Sequence, residues 1–154
     1  MATEKKPCFI ISPIGEDDSE IRKRADLILR YVVTPALDEC GYSPIRADKI
    51  SEPGLITSQI IQHILEDPLV IADLTGSNPN VFYELALRHA IRRPLVQIIK
   101  KGDKLPFDLA GMRTIPVDHT DLESVDEATN EIIKQIKAAE GKKPEEIESP
   151  ISVA

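Results

Sequence analysis

The chain has 154 residues, of which 42% are hydrophobic and 29% charged, as expected for one globular domain of ordinary size. Its 26 acidic residues outnumber 19 basic ones, and the formal charge of −7 argues against a nucleic acid or an anionic membrane surface as the main partner. Cys8 and Cys40 are too few for a disulfide framework, and the first apolar run is too short for a signal peptide or a membrane span. We therefore expect a cytoplasmic protein with two free thiols.

Apolar runs alternate with helical patterns, which predicts an α/β fold with a mostly parallel sheet. The first strand is predicted at 8–12, and a helix then runs from about Ser19 to Glu39, kinked at Pro35 and ended by Gly41. A short strand at 44–47 follows, with Pro44 acceptable only at its beginning. A second helix is predicted from about residue 55 or 56 to residue 66.

The second half of the chain continues the alternation. A strand at 69–74 leads into a helix over about 79–92, and strands are predicted at 95–99 and, more weakly, at 113–118. The last helix spans about 122–139. These elements predict a single three-layer α/β/α domain over residues 1–140, of the Rossmann or flavodoxin-like kind, with four or five strands. Residues 141–154 are charged and contain proline, and are predicted to form a disordered tail.

In open α/β sheets the ligand crevice lies outside the carboxyl ends of the strands. Ser12 and Gly15 follow the first strand, Arg46 and Asp48 follow the second, and Asp73 ends the third. Arg46 is suited to a phosphate or carboxylate and Asp48 to a ribose hydroxyl, although an ion pair within the loop is an equally good interpretation. No spacing of Cys, His and acidic residues predicts a metal site. We expect His63 and His89 to have structural roles.

The loop and helix after the third strand carry one acid among apolar neighbours. Asn78-Pro79 predicts an N-cap and a first helical residue, with Asn80 as a second possible cap. Glu84 then lies near the helix N-terminus, where the helix dipole favours its ionised form. One interpretation is an ordinary helix glutamate paired with Arg88. The other is a catalytic carboxylate that stabilises the oxocarbenium-like charge formed when a sugar–base bond breaks.

The stretch ADLTGSNPNVFYELALRHA resembles the site region of the nucleoside 2-deoxyribosyltransferase superfamily, to which TIR-type NAD-cleaving domains are similar in fold and site layout. In this resemblance Glu84 falls on the family's nucleophilic glutamate. Asn78 stands where the deoxyribosyltransferases carry an acid that helps to protonate the departing base. The first-strand turn from Ser12 to Gly15 loosely matches the family's turn, and Asp67 matches an acid that precedes the third strand. The resemblance covers the layout of residues 8–100.

The resemblance implies catalysis by Glu84 and assembly into a homo-oligomer, since both groups complete their sites across subunits. Asn78 in place of the acid favours TIR-like cleavage of NAD over nucleoside deoxyribosyl transfer, with NAD as a substrate and no cofactor. Tyr83 either stacks on a base or packs. The predicted substrate contacts are Ser12, Gly15, Arg46, Asp48, Asp73, Asn78, Asn80 and Tyr83. The alternative is a non-catalytic nucleotide sensor or a TIR-like interaction module.

Overall fold

The computed structural model describes residues 4–49, 56–105 and 113–147, which form one five-stranded sheet with helices on both faces. The strands are β1 (Lys6–Ile11), β2 (Tyr42–Arg46), β3 (Leu69–Asp73), β4 (Leu95–Lys100) and β5 (Thr114–Val117). The helices are α1 (Glu20–Ile28), α2 (Thr34–Cys40), α3 (Ile56–Glu66), α4 (Pro79–Ile91) and α5 (Leu122–Glu140). The strand order is β2-β1-β3-β4-β5 and every pair is parallel. The predicted α/β/α fold is confirmed, with five strands.

The sheet is buried on both faces, so each central strand contributes to two cores. Cys8 and Ile10 of β1 pack with α1, α2 and α5, whereas Phe9 and Ile11 pack on the other face with α3 and α4. All five residues of β3 are buried. This explains why β3 reads as an unbroken apolar run rather than as an alternating pattern.

The long helix predicted over 19–39 is three consecutive helical segments. A π-helical turn, Leu29–Val33, joins α1 to α2 just before Pro35. Because proline cannot donate a backbone hydrogen bond, a wider turn at this place accommodates it without ending the helix. The predicted limits are confirmed, since Ser19 caps α1 by accepting from the Arg22 N–H, and Gly41 ends α2 in the left-handed conformation with φ of 83°.

One prediction about β2 is wrong. Pro44 is the third of its five residues and pairs with Cys8, rather than standing at the start of the strand. β2 lies at the edge of the sheet, and an edge strand has outward-facing positions where a proline removes no bond to a neighbour. The strand therefore begins at Tyr42, two residues earlier than predicted.

The end of the chain is described only in part. Residues 141–147 follow α5 and include a 3-10 turn at Pro144–Glu146, while residues 148–154 lie outside the described ranges. The division into a domain at 1–140 and a disordered tail at 141–154 stays a prediction. Within the described ranges, no helix combines the length and the apolar character needed to span a bilayer.

Candidate functional site

The strand order reverses between β1 and β3, which is where open α/β sheets form their ligand crevice. The chain leaves β1 for β2 on one side and returns to β3 on the other. In the register of the sheet, Ile11 lies beside Ala72 and Ile10 beside Arg46. The turn after β1, the loop after β2 and the loop after β3 therefore meet at one edge, as the sequence predicted.

The turn after β1 is fixed by an arginine that sequence reasoning did not single out. Arg22 donates from Nε to the Ile14 carbonyl (3.1 Å) and from Nη2 to the Gly15 carbonyl (3.2 Å). Gly15 has φ of +65°, a conformation that favours glycine. The Ser12 hydroxyl donates to the neighbouring Pro13 carbonyl at 3.3 Å. These contacts shape the turn from within, and ligand contacts by Ser12 and Gly15 stay predictions.

Asp73 is buried, and both of its carboxylate oxygens accept hydrogen bonds. Its Oδ2 lies 2.7 Å from Nη1 of Arg24, while its Oδ1 accepts from the backbone N–H (3.1 Å) and the hydroxyl (2.5 Å) of Thr75. The Thr75 hydroxyl oxygen in turn accepts from the Lys100 N–H at 2.9 Å. Arg24 is also buried, and its Nε and Nη2 have no partner among the described residues. Asp73 thus links α1 to the ends of β3 and β4.

Arg46 is 2% exposed and is held by two carboxylates. Its Nε and Nη2 contact Asp48 at 2.6 and 2.8 Å, and Nη2 also contacts Asp26 of α1 at 2.6 Å. Burial opposes the charge, but the bonds to Asp48 and Asp26 outweigh it and raise the pKa of Arg46. The loop ion pair between Arg46 and Asp48, one of the two interpretations of the sequence, is present. A ligand role for Arg46 or Asp48 stays a prediction.

The loop after β3 is organised for the start of α4. Asn78 is the N-cap, and its Oδ1 accepts from the Asn80 N–H (2.9 Å) and the Val81 N–H (3.3 Å). The N–H of Gly76 donates to Oδ2 of Asp103, which follows β4. Asn78 therefore acts as a capping group, while Asp103 is an acid brought to this loop from elsewhere in the chain.

Glu84 lies on α4, one turn beyond its start, and its side chain is half-buried. It has no hydrogen bond or ion-pair partner among the residues that the structure describes. Arg88 does not pair with it, because that guanidinium is fully buried and donates to the carbonyls of Ile64 and Pro94. Burial raises the pKa of Glu84, so desolvation outweighs the effect of the helix N-terminus.

The predicted site residues divide between the two faces of the sheet. Side chains alternate along β3, so Asp73 shares the face of Leu69 and Ile71, which is covered by α1 and α2. Glu84 belongs to α4 in the opposite layer. The α1-side cluster consists of Arg22, Arg24, Asp26, Arg46, Asp48 and Asp73. The α4 group consists of Asn78, Asn80, Tyr83 and Glu84, with Tyr83 64% exposed.

The two histidines singled out from the sequence have structural contacts, as predicted. His63 stacks on Phe9 with ring centroids 5.5 Å apart, and its Nδ1 lies 3.0 Å from Oδ2 of Asp67. The ring of His89 bonds Gln97 at 2.9 Å. Asp67, the acid matched to the family pattern, therefore supports α3 at the opposite end from the crevice.

Comparisons with known proteins bear on the fold. No protein-family model matches the chain, and no curated protein matches its sequence. Among solved structures, the chain is similar to a 2-deoxyribosyltransferase from the psychrotolerant bacterium Bacillus psychrosaccharolyticus. The TM-score is 0.56 at 11% identity, and the match covers 77% of this chain and 95% of that one. The likeness thus extends over nearly the whole of that enzyme and concerns the fold, whereas a TIR-like character stays a prediction.

Proposed function

We propose that this protein cleaves or transfers the N-glycosidic bond of a nucleoside or nucleotide, with Glu84 as the group that acts on the anomeric carbon. The proposal rests on the surroundings of the Glu84 carboxyl group. It is half-buried on α4, a helix that packs against β1 and β3, and no described residue pairs with it. Burial also raises its pKa. Perturbed carboxyl groups without a structural partner are candidates for chemistry in a crevice.

The reaction requires an ionised carboxylate. In the nucleophilic form, an oxygen of Glu84 bonds to the anomeric carbon as the carbon–nitrogen bond breaks, and the base leaves with the bonding electrons. Water or a second base then displaces the carboxylate and gives hydrolysis or transfer. A half-buried carboxylate is weakly solvated, which makes it a better nucleophile and strengthens its attraction to developing positive charge.

Two substrate classes are supported by different observations. The fold is like that of a deoxyribosyltransferase, which favours a nucleoside. Residues 74–83 contain no acid, the amide oxygen of Asn78 is occupied as a cap, and Asp103, which reaches this loop, accepts from the Gly76 N–H. That arrangement favours a leaving group that departs without taking a proton, as the nicotinamide of NAD does. Of these two substrate classes, we propose a nucleoside as the first candidate and NAD as the second.

A non-catalytic nucleotide sensor is the rival proposal, and in it Tyr83 is a contact for a base or for another protein. With 64% of its surface exposed, Tyr83 is available for either contact. Assembly into a homo-oligomer belongs to both proposals, and sedimentation of the protein with and without nucleotide measures it.

The test is product analysis by chromatography at protein concentrations that permit assembly. The chain is incubated separately with NAD and with a panel of nucleosides, and Glu84→Gln is compared with Glu127→Gln, an exposed glutamate of α5. We expect release of a free base or nicotinamide, lost by at least about a thousandfold in Glu84→Gln and unchanged in Glu127→Gln. Release that survives Glu84→Gln refutes the assigned role, and no release from any substrate favours the sensor.

A further inference from the structure

A cavity of about 490 Å³ lies at the amino-terminal edge of the sheet, opposite to the edge that carries the crevice. It opens where α4 ends and β4 begins, and the last turns of α5 together with residues 142 and 146–147 form its other side. Its volume lies within the range of about 300–1,000 Å³ that is typical of small-molecule sites. The cavity is thus separate from the proposed catalytic site and can be considered without it.

The cavity is strongly basic, although the chain as a whole is acidic. Its lining includes four arginines and a lysine, namely Arg88, Arg92, Arg93, Arg113 and Lys142, against one acid, Glu146. The side chains of Arg92, Arg113 and Lys142 make no ion pair or hydrogen bond within the described ranges. The Glu146 carboxylate contacts the backbone N–H of Lys143 in its own turn and no cation of the lining.

Arg88 adds an independent observation, a buried guanidinium with a donor that is unpaired among the described residues. It is fully buried, and its two terminal nitrogens donate to the Ile64 carbonyl (2.8 Å) and the Pro94 carbonyl (2.9 Å). Its Nε is buried without a partner among the described residues. Burial and the charge of neighbouring Arg93 lower the pKa of Arg88 to about 10, so the guanidinium is charged but destabilised. A buried donor of this kind is normally paired.

The wall beside these cations is polar and uncharged. The Gln97 amide nitrogen donates to the Thr114 hydroxyl at 3.0 Å, so its oxygen is the acceptor for His89 at 2.9 Å. Burial lowers the pKa of His89, which disfavours the charged form of the ring. The amide and the ring satisfy each other. The arginines and the lysine are therefore the groups of the lining that can bind a negatively charged ligand.

We propose that this cavity binds a phosphorylated small molecule with at least two negative charges, held chiefly by Arg92, Arg113 and Lys142. Planar guanidinium groups match phosphate oxygens with paired hydrogen bonds, and several cations around one pocket suit a di-anion better than a single carboxylate. The phosphates belong either to a nucleotide or to an inorganic oligophosphate. This site is not the proposed catalytic site and does not depend on it.

The test is calorimetric titration of the full chain with inorganic pyrophosphate, AMP and ATP as three separate probes. The double variant Arg113→Gln/Lys142→Gln removes two exposed cations of the lining. The matched control, Arg30→Gln/Lys23→Gln, removes an arginine and a lysine that are exposed on other surfaces. We expect saturable binding that the lining variant weakens by about a hundredfold, or about tenfold for each charged contact, and that the control weakens by less than about threefold.

The probes and a second readout separate the possible results. Tighter binding of AMP or ATP than of pyrophosphate assigns the ligand as a nucleotide, and the reverse assigns an oligophosphate. Backbone amide NMR of the wild-type chain with pyrophosphate is expected to shift residues 92–97 and 138–142, and Glu84→Gln is expected to bind equally well. Absence of saturable binding, equal weakening in the control, or shifts confined to residues 74–80 would overturn the proposal.

Discussion

Replacement of Asp73 by asparagine is expected to destabilise the protein strongly, because Arg24 is then left as a buried cation without a counter-charge. The two groups are 2.7 Å apart with side-chain exposures of 10% and 3%, and Arg24 has no second described partner to compensate. Asparagine keeps an oxygen for the Thr75 N–H but places its amide nitrogen near Nη1 of Arg24, so the substitution removes the counter-charge and its acceptor together. We expect a loss of about 3–5 kcal/mol from the free energy of unfolding, out of the total of about 5–15 that a domain commonly has.

The assay is urea denaturation followed by circular dichroism, with a matched ion pair as the control. Lys5 and Asp38 are also 2.7 Å apart, but their side chains are 49% and 53% exposed, so Asp38→Asn is expected to cost at most about 1 kcal/mol. Adding Arg24→Met to Asp73→Asn removes the orphaned charge and is expected to recover more than about 1 kcal/mol. A loss for Asp73→Asn no larger than that for Asp38→Asn would refute the reasoning.

Three further predictions concern substitution or modification of single residues. Because burial raises the pKa of Glu84, this group destabilises the fold as the pH rises above its ordinary pKa, and the full cost is reached above the raised value. Glu84→Gln is therefore expected to raise Tm by about 1–3 °C at pH 7 and not at pH 3 in calorimetry. An equal gain at both pH values would contradict it. Gly15→Ala puts a side chain at a left-handed φ and places its Cβ only 2.8 Å from Oγ of the capping Ser19. We expect this substitution to lower the free energy of unfolding by about 2–3 kcal/mol in urea denaturation. Gly76→Ala, at a similar φ but in open surroundings, is expected to lower it by about 1 kcal/mol. Burial raises the pKa of Cys8 well above its ordinary value, so Ellman's reagent is expected to modify this thiol only after unfolding, and modification of Cys8 in the native protein would show that the core opens.

The sheet and its layers were predictable because hydrophobic periodicity records burial directly. β3 is buried on both faces, so it appears as a continuous apolar run, and α5 places Ala128, Ile132 and Ile136 on one buried stripe. Pro44 was misplaced because its tolerance depends on β2 being an edge strand. Strand order is a property of the whole fold and cannot be predicted from the local pattern of apolar residues.

The location of the crevice was predictable from the α/β alternation, but its contacts were not. Arg24 and Asp73 are 49 residues apart, and no spacing rule connects them. Arg88 could have been recognised, because Val81, Leu85 and Arg88 occupy one buried helical stripe, which an ordinary solvent-exposed ion pair with Glu84 does not allow. The state of Glu84 follows from what packs around it, which the sequence near residue 84 does not specify.

The order in which the strands lie has a consequence for how the protein forms during synthesis. β1 is the second strand of the sheet, yet its neighbour β3 is made more than fifty residues later, after β2 and α3. Until then one edge of an apolar strand is open, and Arg24 has no counter-ion. The β1–β2 unit alone is therefore a poor folding nucleus that exposes a strand edge to other chains. We expect truncated chains ending before residue 69 to aggregate, and the first stable intermediate to contain β3.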